Sequence, residues 1–508
     1  MKAGFGAKGA ALALGGQWGR YAIQIASLVV FSRLLDPAAF GRIAIITSIT
    51  NIALSLGDFG LSMSALQRRD LSHAQRSNLV WINVAVGLFL CAILNLAAPL
   101  IASFFGQSDL ESLCHVLSAN FVLSGLGAQY KVGLNRQGRF DKLALSDVVG
   151  GLVAFGVALA AILVGCGAMS LALQQVVSVL VALIVIVVAD PWLPSRPRRR
   201  VGMRPLVQFG GTLFLTYMAN SLASNVDSIA LGHFRPAAEV GVYNRAYQIA
   251  RQPVGQMLTP LTRVAVPRAV RAGADPSTQL DSLIRFNHPV VTITAAGLSL
   301  MTAIGGMIGR LVLGGGWGDL DMIIALLAIG SLIQSSNQIS YWLLLSSGNS
   351  RVLFLSEVLP RVGFVIAVCI CARWGILAVI ACVIAQQIAI VLASCLWALP
   401  RIGIAWQRAC RASLGPTLFF LCLSCGIETA KQLQHSTGIL SSLAPDVFGF
   451  LLWMLAILTT LALSRRLRAT WFGYVTHAVR IVSRHQRGAP RANSNLPKSD
   501  SPGMDQPT

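Results

Sequence analysis

Ionisable and amide side chains inside otherwise apolar segments are the residues of this 508-residue chain with the clearest capacity for chemistry. Arg245, Gln248 and Arg251 lie in one such segment, and arginine binds phosphate and carboxylate oxyanions through paired hydrogen bonds. Inside a helical bundle, these residues predict a cationic lumen for a pyrophosphate or a sugar acid. At a helix end, the same residues indicate an interfacial turn with snorkelling side chains.

Five further ionisable residues are candidates for ion coupling or for salt bridges. Inserting a charge near the bilayer centre costs about 2.5–3.5 kcal/mol, so such a residue usually faces the bundle interior or water and has a functional or structural partner. Glu357 and Arg361 have the i,i+4 spacing, acid first, that favours a helical ion pair. His288 could titrate near neutral pH or mark the interfacial start of a helix. Asp58 and Asp227 lie near predicted helix ends, where capping is the alternative to coupling.

The motifs that would indicate catalysis are incomplete. The G-x-G-x-x-G pattern at residues 4–9 has no preceding strand, and the three glycines at 314–316 lack the Gly-Lys-Ser/Thr of a phosphate loop. Asp319-Leu-Asp321 imitates a glycosyltransferase metal pair but falls in a connection predicted to lie outside the cell. We therefore predict that the chain is not an enzyme and has no metal site and no cofactor.

The composition places these residues in a membrane protein. Hydrophobic residues make up 55% of the chain, charged residues 12%, and the mean hydropathy is +0.67. Soluble domains carry about 25% charged residues. The net charge of +21 is distributed in short clusters between apolar segments, which is typical of loops facing anionic lipid rather than of a nucleic-acid-binding protein.

Apolar windows of about 17–25 residues predict an all-α, polytopic protein with about fourteen transmembrane helices. They cover residues 14–35, 41–65, 79–104, 111–131, 146–165, 168–189, 206–228, 240–262, 287–313, 320–347, 352–372, 375–398, 412–428 and 446–464. Lys and Arg concentrate in every second connection and in both termini. By the positive-inside rule, both ends are expected in the cytoplasm, with the protein in the inner membrane.

A short internal repeat divides the chain. Pro37–Gly41 (PAAFG) and Pro236–Gly241 (PAAEVG) each follow a predicted helix of the same direction, about 200 residues apart. Parallel repeats are one layout of secondary transporters, with the substrate site between the halves. We predict a six-helix lobe at 1–190, a basic cytoplasmic linker at 191–205, a second six-helix lobe at 206–398, two extra transmembrane helices at 399–466, and a basic, largely disordered tail at 467–508.

Several stretches resemble Wzx-type polysaccharide exporters of the multidrug/oligosaccharidyl-lipid/polysaccharide superfamily, particularly the colanic-acid and succinoglycan branch. They are Trp18 to Gly60 (W-G-R … F-S-R-L-L-D-P-A-A-F-G … L-G-D-F-G), residues 98–105 (APLIASFF), 135–140 (NRQGRF), 241–253 (GVYNRAYQIARQP) and 266–268 (VPR). The resemblance implies two six-helix lobes in a V plus two C-terminal helices, and alternating access. It also implies an undecaprenyl-pyrophosphate-linked oligosaccharide as cargo, with a polymerase and export machinery as partners.

The resemblance also adds Arg20 to the lumen candidates, because the first helix lines the cavity in related transporters. From its own neighbours, Arg20 beside Trp18 indicates a membrane-interface anchor, and only the resemblance makes it a lumen candidate. Two other functions remain open. A drug or ion antiporter of the same superfamily would share the fold. A membrane polysaccharide polymerase would need a sizeable outer loop, and the longest predicted here, at about 429–445, has Lys431 and His435 as its main titratable residues.

Overall fold

The computed structural model describes residues 4–58, 62, 65, 71–198, 201, 203–273, 275–318, 320–437 and 445–463. Over these ranges the chain is helical and contains no strand, which confirms the all-α prediction. Met1–Trp453 form one compact unit, to which every contact given below belongs. Met454–Thr508 form a second unit, described only as far as residue 463. The predicted tail at 467–508 lies outside the described residues.

Sixteen helices follow one another along the described chain. They are α1 (Gly4–Leu34), α2 (Pro37–Asp58), α3 (His73–Phe105), α4 (Asp109–Arg136), α5 (Phe140–Leu163), α6 (Ala168–Ala189), α7 (Arg204–Phe234), α8 (Ala237–Ala250), α9 (Gln252–Ala272), α10 (Pro276–Leu313), α11 (Leu320–Ser336), α12 (Gln338–Ser346), α13 (Ser350–Cys371), α14 (Ile376–Leu392), α15 (Trp406–Thr437) and α16 (Pro445–Leu463). A 3₁₀ turn at Ala372–Trp374 precedes α14, which continues through a π-helical stretch at Ala393–Ala398 to Leu399–Arg401.

Each predicted span has a helical counterpart, and the multi-pass prediction is confirmed. Among the described residues, eight helices are long and apolar enough by themselves to cross a membrane. Two predicted spans are broken: the eighth is α8 and α9, which meet at Arg251, and the tenth is α11 and α12, which meet at Asn337. Many large apolar side chains point outward, such as Leu96 and Leu100 on α3, as expected of a surface in contact with lipid.

The basic linker is bound along the start of α3. The Asp190 carboxylate lies 2.6 Å from the Arg76 guanidinium, whose Cζ lies 4.0 Å from the centre of the Trp192 ring. Further hydrogen bonds are donated by Trp81 Nε1 to Ser195 O, by Asn78 Nδ2 to Arg198 O, by Arg198 N to Asn78 Oδ1, and by Ser195 N to Ser77 Oγ. Residues 190–198 are therefore a strap held by the first half of the chain.

A buried ionic cluster joins α15 and the start of α16 to α10 and α11. Lys431, only 4% exposed, places Nζ 3.1 Å from Asp321 Oδ2 and 3.3 Å from Asp446 Oδ1. The Arg310 guanidinium pairs with the same Asp446 carboxylate. The sequence interpretation that put Lys431 in an outer loop is wrong, because α15 extends to Thr437 and carries this residue into the packed bundle.

Replacing Lys431 by methionine is expected to lower the free energy of unfolding by about 1.5–3 kcal/mol, because Asp321 and Asp446 lose their shared cation. The loss is smaller than for a fully buried pair, because Asp446 keeps Arg310 and the Asp321 side chain is 33% exposed. Unfolding of the purified protein in mixed detergent micelles would measure the change. Lys131→Met is a matched control, since Lys131 is exposed and has no carboxylate within 4 Å among the described residues. Equal stability of the two variants would show that the cluster does not hold the extra helices.

Candidate functional site

A cavity of about 780 Å³ lies between helices of the two halves. Its walls come from α1, α2, α4, α5 and α6 of the first half, and from α7, α8 and the first residue of α9. The volume falls in the range of about 300–1,000 Å³ that ligand sites occupy in proteins. The ionisable groups in the wall are Arg20, Lys131, Asp147, Asp227, Tyr243, Arg245 and Tyr247, and the amides are Gln24, Asn51, Asn120, Gln174, Gln175, Asn225, Asn244, Gln248 and Gln252.

The helical spacing of these polar residues places them on the helix faces that line the cavity. Arg20, Gln24 and Ser27 recur at i, i+4 and i+7 on α1, so they share one helix face. Gln174 Nε2 donates to Ser27 Oγ at 3.1 Å, and Gln175 Nε2 donates to Thr47 Oγ1 at 3.0 Å. The sequence-based prediction missed this amide-rich wall, although the polar stripe along α1 was a readable signal for it.

Arg245 and Lys131 are the two cations of this cavity wall that have no carboxylate within 4 Å among the described residues, and Arg245 is the one predicted from the sequence. Its Cζ lies 3.8 Å from the centre of the Phe40 ring, so an aromatic face rather than a carboxylate holds the guanidinium. Nη1 donates to Gln248 Oε1 at 2.6 Å, and Gln248 Nε2 donates to Asn244 Oδ1 at 2.8 Å. Among the described residues, no carboxylate lies within 4 Å of Arg245, and its buried Nε has no hydrogen-bond partner. In the described part of the structure, the charge of Arg245 is therefore not neutralised by a carboxylate.

Arg20 lies in the same cavity but already faces a carboxylate. Its Nη1 is 3.8 Å from Asp147 Oδ2, and the two side chains are 57% and 42% exposed. An ion pair this long and this exposed contributes about 0–1 kcal/mol, so it can exchange its partner for a ligand or water. The structure therefore brings three of the four lumen candidates together: Arg20, Arg245 and Gln248.

Arg251, the fourth lumen candidate, is not in the cavity wall of this state. It occupies the break between α8 and α9, with its Cζ 5.3 Å from the centre of the Tyr247 ring. Arg251 is six residues from Arg245 and lies at the helix break, so its side chain does not share the cavity-facing side of α8 with Arg245.

Asp227 is a buried carboxylate that reaches the cavity wall. It is 4% exposed and accepts hydrogen bonds from the Tyr243 hydroxyl at 2.6 Å and from the Ser228 amide at 2.8 Å. The interpretation of Asp227 as a helix cap is wrong, because α7 continues to Phe234 and the side chain bonds across to α8.

The remaining coupling candidates lie elsewhere. Arg361 Nη1 is 2.6 Å from Glu357 Oε2, which is the predicted i,i+4 ion pair, and Asn337 Nδ2 donates to Glu357 Oε1 at 3.2 Å. Neither charged residue lines the cavity. His288 is not at a helix start, because α10 begins at Pro276, capped by the Asp275 side chain. Asp58 ends α2, and its side chain lies outside the described part of the structure.

The hydrogen bond between Tyr243 and Asp227 is expected to stabilise the contact between α7 and α8. Tyr243→Phe removes the hydroxyl and leaves a buried carboxylate oxygen without that donor, which costs about 1–3 kcal/mol. Tyr247→Phe is the matched control, because that hydroxyl, one turn away in the same cavity, has no hydrogen bond among the described residues. Unfolding free energies measured in detergent micelles would show the difference, and equal values for the two variants would contradict it.

With this geometry in place, comparisons with known proteins identify the family. Residues 30–320 match the family described as polysaccharide biosynthesis protein. The chain belongs to this family. The resemblance read from the sequence motifs is thereby confirmed.

Three relatives show how the family similarity extends along the chain. The teichuronic acid biosynthesis protein TuaB of Bacillus subtilis (strain 168) is 25% identical over 65% of this chain and 69% of its own length. The lipopolysaccharide biosynthesis protein WzxC of Escherichia coli (strain K12) is 24% identical over 68% and 71%. The succinoglycan biosynthesis transport protein ExoT of Rhizobium meliloti (strain 1021) is 21% identical over 66% and 68%.

Solved structures of similar fold include the lipid II flippase MurJ in an inward closed conformation. It is 12% identical, with a TM-score of 0.64, and covers 89% of this chain and 99% of its own. An inward-facing multidrug resistance MATE family transporter of the MOP superfamily is 15% identical, with a TM-score of 0.54 over 78% of this chain and 99% of its own. The chain therefore has the fold of MOP superfamily transporters and is a multi-pass membrane protein.

Proposed function

We propose that this protein is a flippase that moves undecaprenyl-pyrophosphate-linked oligosaccharide repeat units across the bacterial inner membrane by alternating access. The observation that carries the proposal is the cavity, in a bundle whose outer surface is apolar. The cavity is lined with amides and with an arginine that has no carboxylate within 4 Å in the part of the chain that the structure describes. The names of its relatives, which concern teichuronic acid, lipopolysaccharide and succinoglycan, support a polymer-building pathway.

The chemistry of the cavity matches the two parts of such a headgroup. The Arg245 guanidinium can pair with a pyrophosphate oxygen through charge-assisted hydrogen bonds. The amides of Gln24, Gln174 and Gln175 offer donors and acceptors to sugar hydroxyl groups. Hydrocarbon solvates neither part, so a polar cavity is what lowers the barrier to crossing, while the lipid tail remains in the bilayer.

In the proposed cycle, the headgroup enters from the cytoplasm, and the halves at 1–190 and 206–398 rock against each other to expose it outside. Both termini would lie in the cytoplasm. The two extra helices at 399–466 would remain attached to the second half through the Lys431 cluster. A polysaccharide polymerase and export machinery would act on the released repeat unit.

A drug or ion antiporter is the second candidate, favoured by the fold shared with a multidrug resistance transporter. The two candidates differ in cargo and not in architecture, so fold similarity alone does not separate them. A membrane polymerase is a third, weaker candidate, and the site at which repeat units accumulate would distinguish it.

Arg245→Gln is expected to reduce export about 10–100-fold, because a charge-assisted hydrogen bond contributes roughly 1.5–3 kcal/mol. Arg251→Gln, which removes the same charge outside the cavity wall, should have a much smaller effect. Surface polymer would be measured in a deletion strain complemented with each variant at matched protein levels. Normal export by Arg245→Gln would remove the cationic lumen from the mechanism.

The decisive experiment is deletion of the gene, followed by measurement of surface polymer and of lipid-linked repeat units in each leaflet. Loss of polymer, with intact repeat units stranded on the cytoplasmic leaflet, is the expected result. Stranding on the outer leaflet would identify a polymerase instead. Normal polymer, no stranded intermediate and a change in drug resistance would favour the antiporter.

A further inference from the structure

The first turns of α2 and α8 cross with their backbones in direct contact. A Cβ atom placed on Gly41 would lie 1.7 Å from the carbonyl oxygen of Ala237. A Cβ atom placed on Gly241 would lie 1.9 Å from the carbonyl oxygen of Pro37. Both distances are far below van der Waals contact, and the atoms met are backbone, which cannot rotate away. Neither position can accept a side chain while the crossing is closed.

The two glycines belong to the two copies of the internal repeat. Each glycine rests on the first helical residues of the other copy, so the contact is reciprocal and relates the halves by approximate twofold symmetry. The repeat is therefore not only a trace of duplication. It supplies both faces of one contact between the halves.

This crossing closes one end of the cavity. The wall begins at Phe40 on α2 and at Tyr243 on α8, whereas residues 37–39 and 237–242 take no part in it. The crossing is also dry: Phe40 is 2% exposed and packs against Trp317 at 5.5 Å between ring centres, and Val240 is fully buried.

Farther along α2, the halves are joined differently. Ser55 Oγ and Ser221 Oγ are 2.8 Å apart, and Asn51 Nδ2 donates to Asn225 Oδ1 at 3.3 Å. Water can replace hydrogen bonds between such partly exposed side chains at little cost. The glycine crossing has no comparable substitute, because separating it exposes apolar side chains and packed backbone. The two ends of the interface are thus unequal: one is dry and tight, and the other is polar and separable.

We propose that the Gly41–Gly241 crossing is the extracytoplasmic gate of the transport cycle, a backbone-to-backbone contact that seals the cavity and must part to release cargo. The proposal rests on the proposed function and on the predicted topology, which places the connections before α2 and α8 outside the cell. A methyl group at either glycine occupies the space of the opposing carbonyl. It therefore disfavours the closed state and shifts the population toward an open one.

The test measures access to the cavity from outside the cell. Ser48, 5% exposed and part of the cavity wall on α2, is replaced by cysteine as a reporter. Intact cells are treated with a membrane-impermeant maleimide, and peptide mass spectrometry reads the reporter separately from the ten native cysteines. Gly41→Ala and Gly241→Ala should each raise the labelling rate by at least about fivefold, as a shift toward the open state requires.

Two control variants separate gating from general damage. A Cβ atom placed on Gly87 would lie 2.6 Å from the carbonyl oxygen of Phe121, but this close contact is within the first half, between α3 and α4. Gly363 faces open space. Neither Gly87→Ala nor Gly363→Ala should change labelling. Unchanged labelling in folded Gly41→Ala and Gly241→Ala would overturn the proposal, as would an equal rise in Gly87→Ala.

A third variant keeps the proposal testable if both alanine variants fail to fold. Val240→Thr places a hydroxyl in the dry crossing and leaves both glycines unsubstituted. It should raise the labelling rate of the Ser48→Cys reporter, but by less than the two alanine variants do. No rise there would also overturn the gate. Failure of the gate proposal is distinguishable from failure of the proposed function. If only the gate is wrong, labelling of the reporter stays unchanged while the deletion strain strands repeat units. If only the cargo is wrong, polymer stays normal in the deletion strain while labelling in the glycine variants still rises.

Discussion

The poor solvation of charge in hydrocarbon is the constraint on which the rest of this structure depends. A peptide group or a charged side chain that faces lipid loses its water partners, so the described chain satisfies its backbone within helices and pairs most of the charges that it buries. Lys431 lies between two carboxylates, Arg76 pairs with Asp190, and Arg361 pairs with Glu357. Arg245 departs from this rule. It is held by the face of Phe40 in a polar cavity, and no carboxylate among the described residues lies within 4 Å of it.

The same constraint explains how the pieces of the bundle are joined. Buried ion pairs fix what should not separate: the Lys431 cluster fixes the added helices, and Arg76 fixes the strap at 190–198. These contacts are costly to break, because Lys431 and Asp190 would each be left as a buried charge without its partner. The described contacts between the halves include backbone packing at the glycine crossing, neutral hydrogen bonds beyond it and the Arg245–Phe40 contact, but no ion pair. Contacts of this kind can open without separating an ion pair.

The strap also limits where the chain can bend if the halves rock as proposed. Residues up to Arg198 are hydrogen-bonded to α3, so a change in angle between the halves has to be absorbed beyond the strap, near the start of α7. Only the part of the basic linker beyond Arg198 is therefore free to act as a hinge, which is much less than the whole segment predicted at 191–205.

The sequence by itself determined the class of protein, the positions of the helices, the family and the Glu357–Arg361 pair. These follow from apolar length, local motifs and i,i+4 spacing, all of which are properties of neighbouring residues. Its errors at Asp227, His288 and Lys431 arose where a helix extends beyond its apolar window, since hydropathy locates the hydrocarbon but not the helix end. Only the tertiary structure decided that Arg20, Gln174 and Arg245 share one cavity, and that the two copies of a five- or six-residue repeat rest on each other's backbone. These residues lie up to 225 positions apart (245 − 20), and their geometry is set by how helices pack rather than by any local pattern.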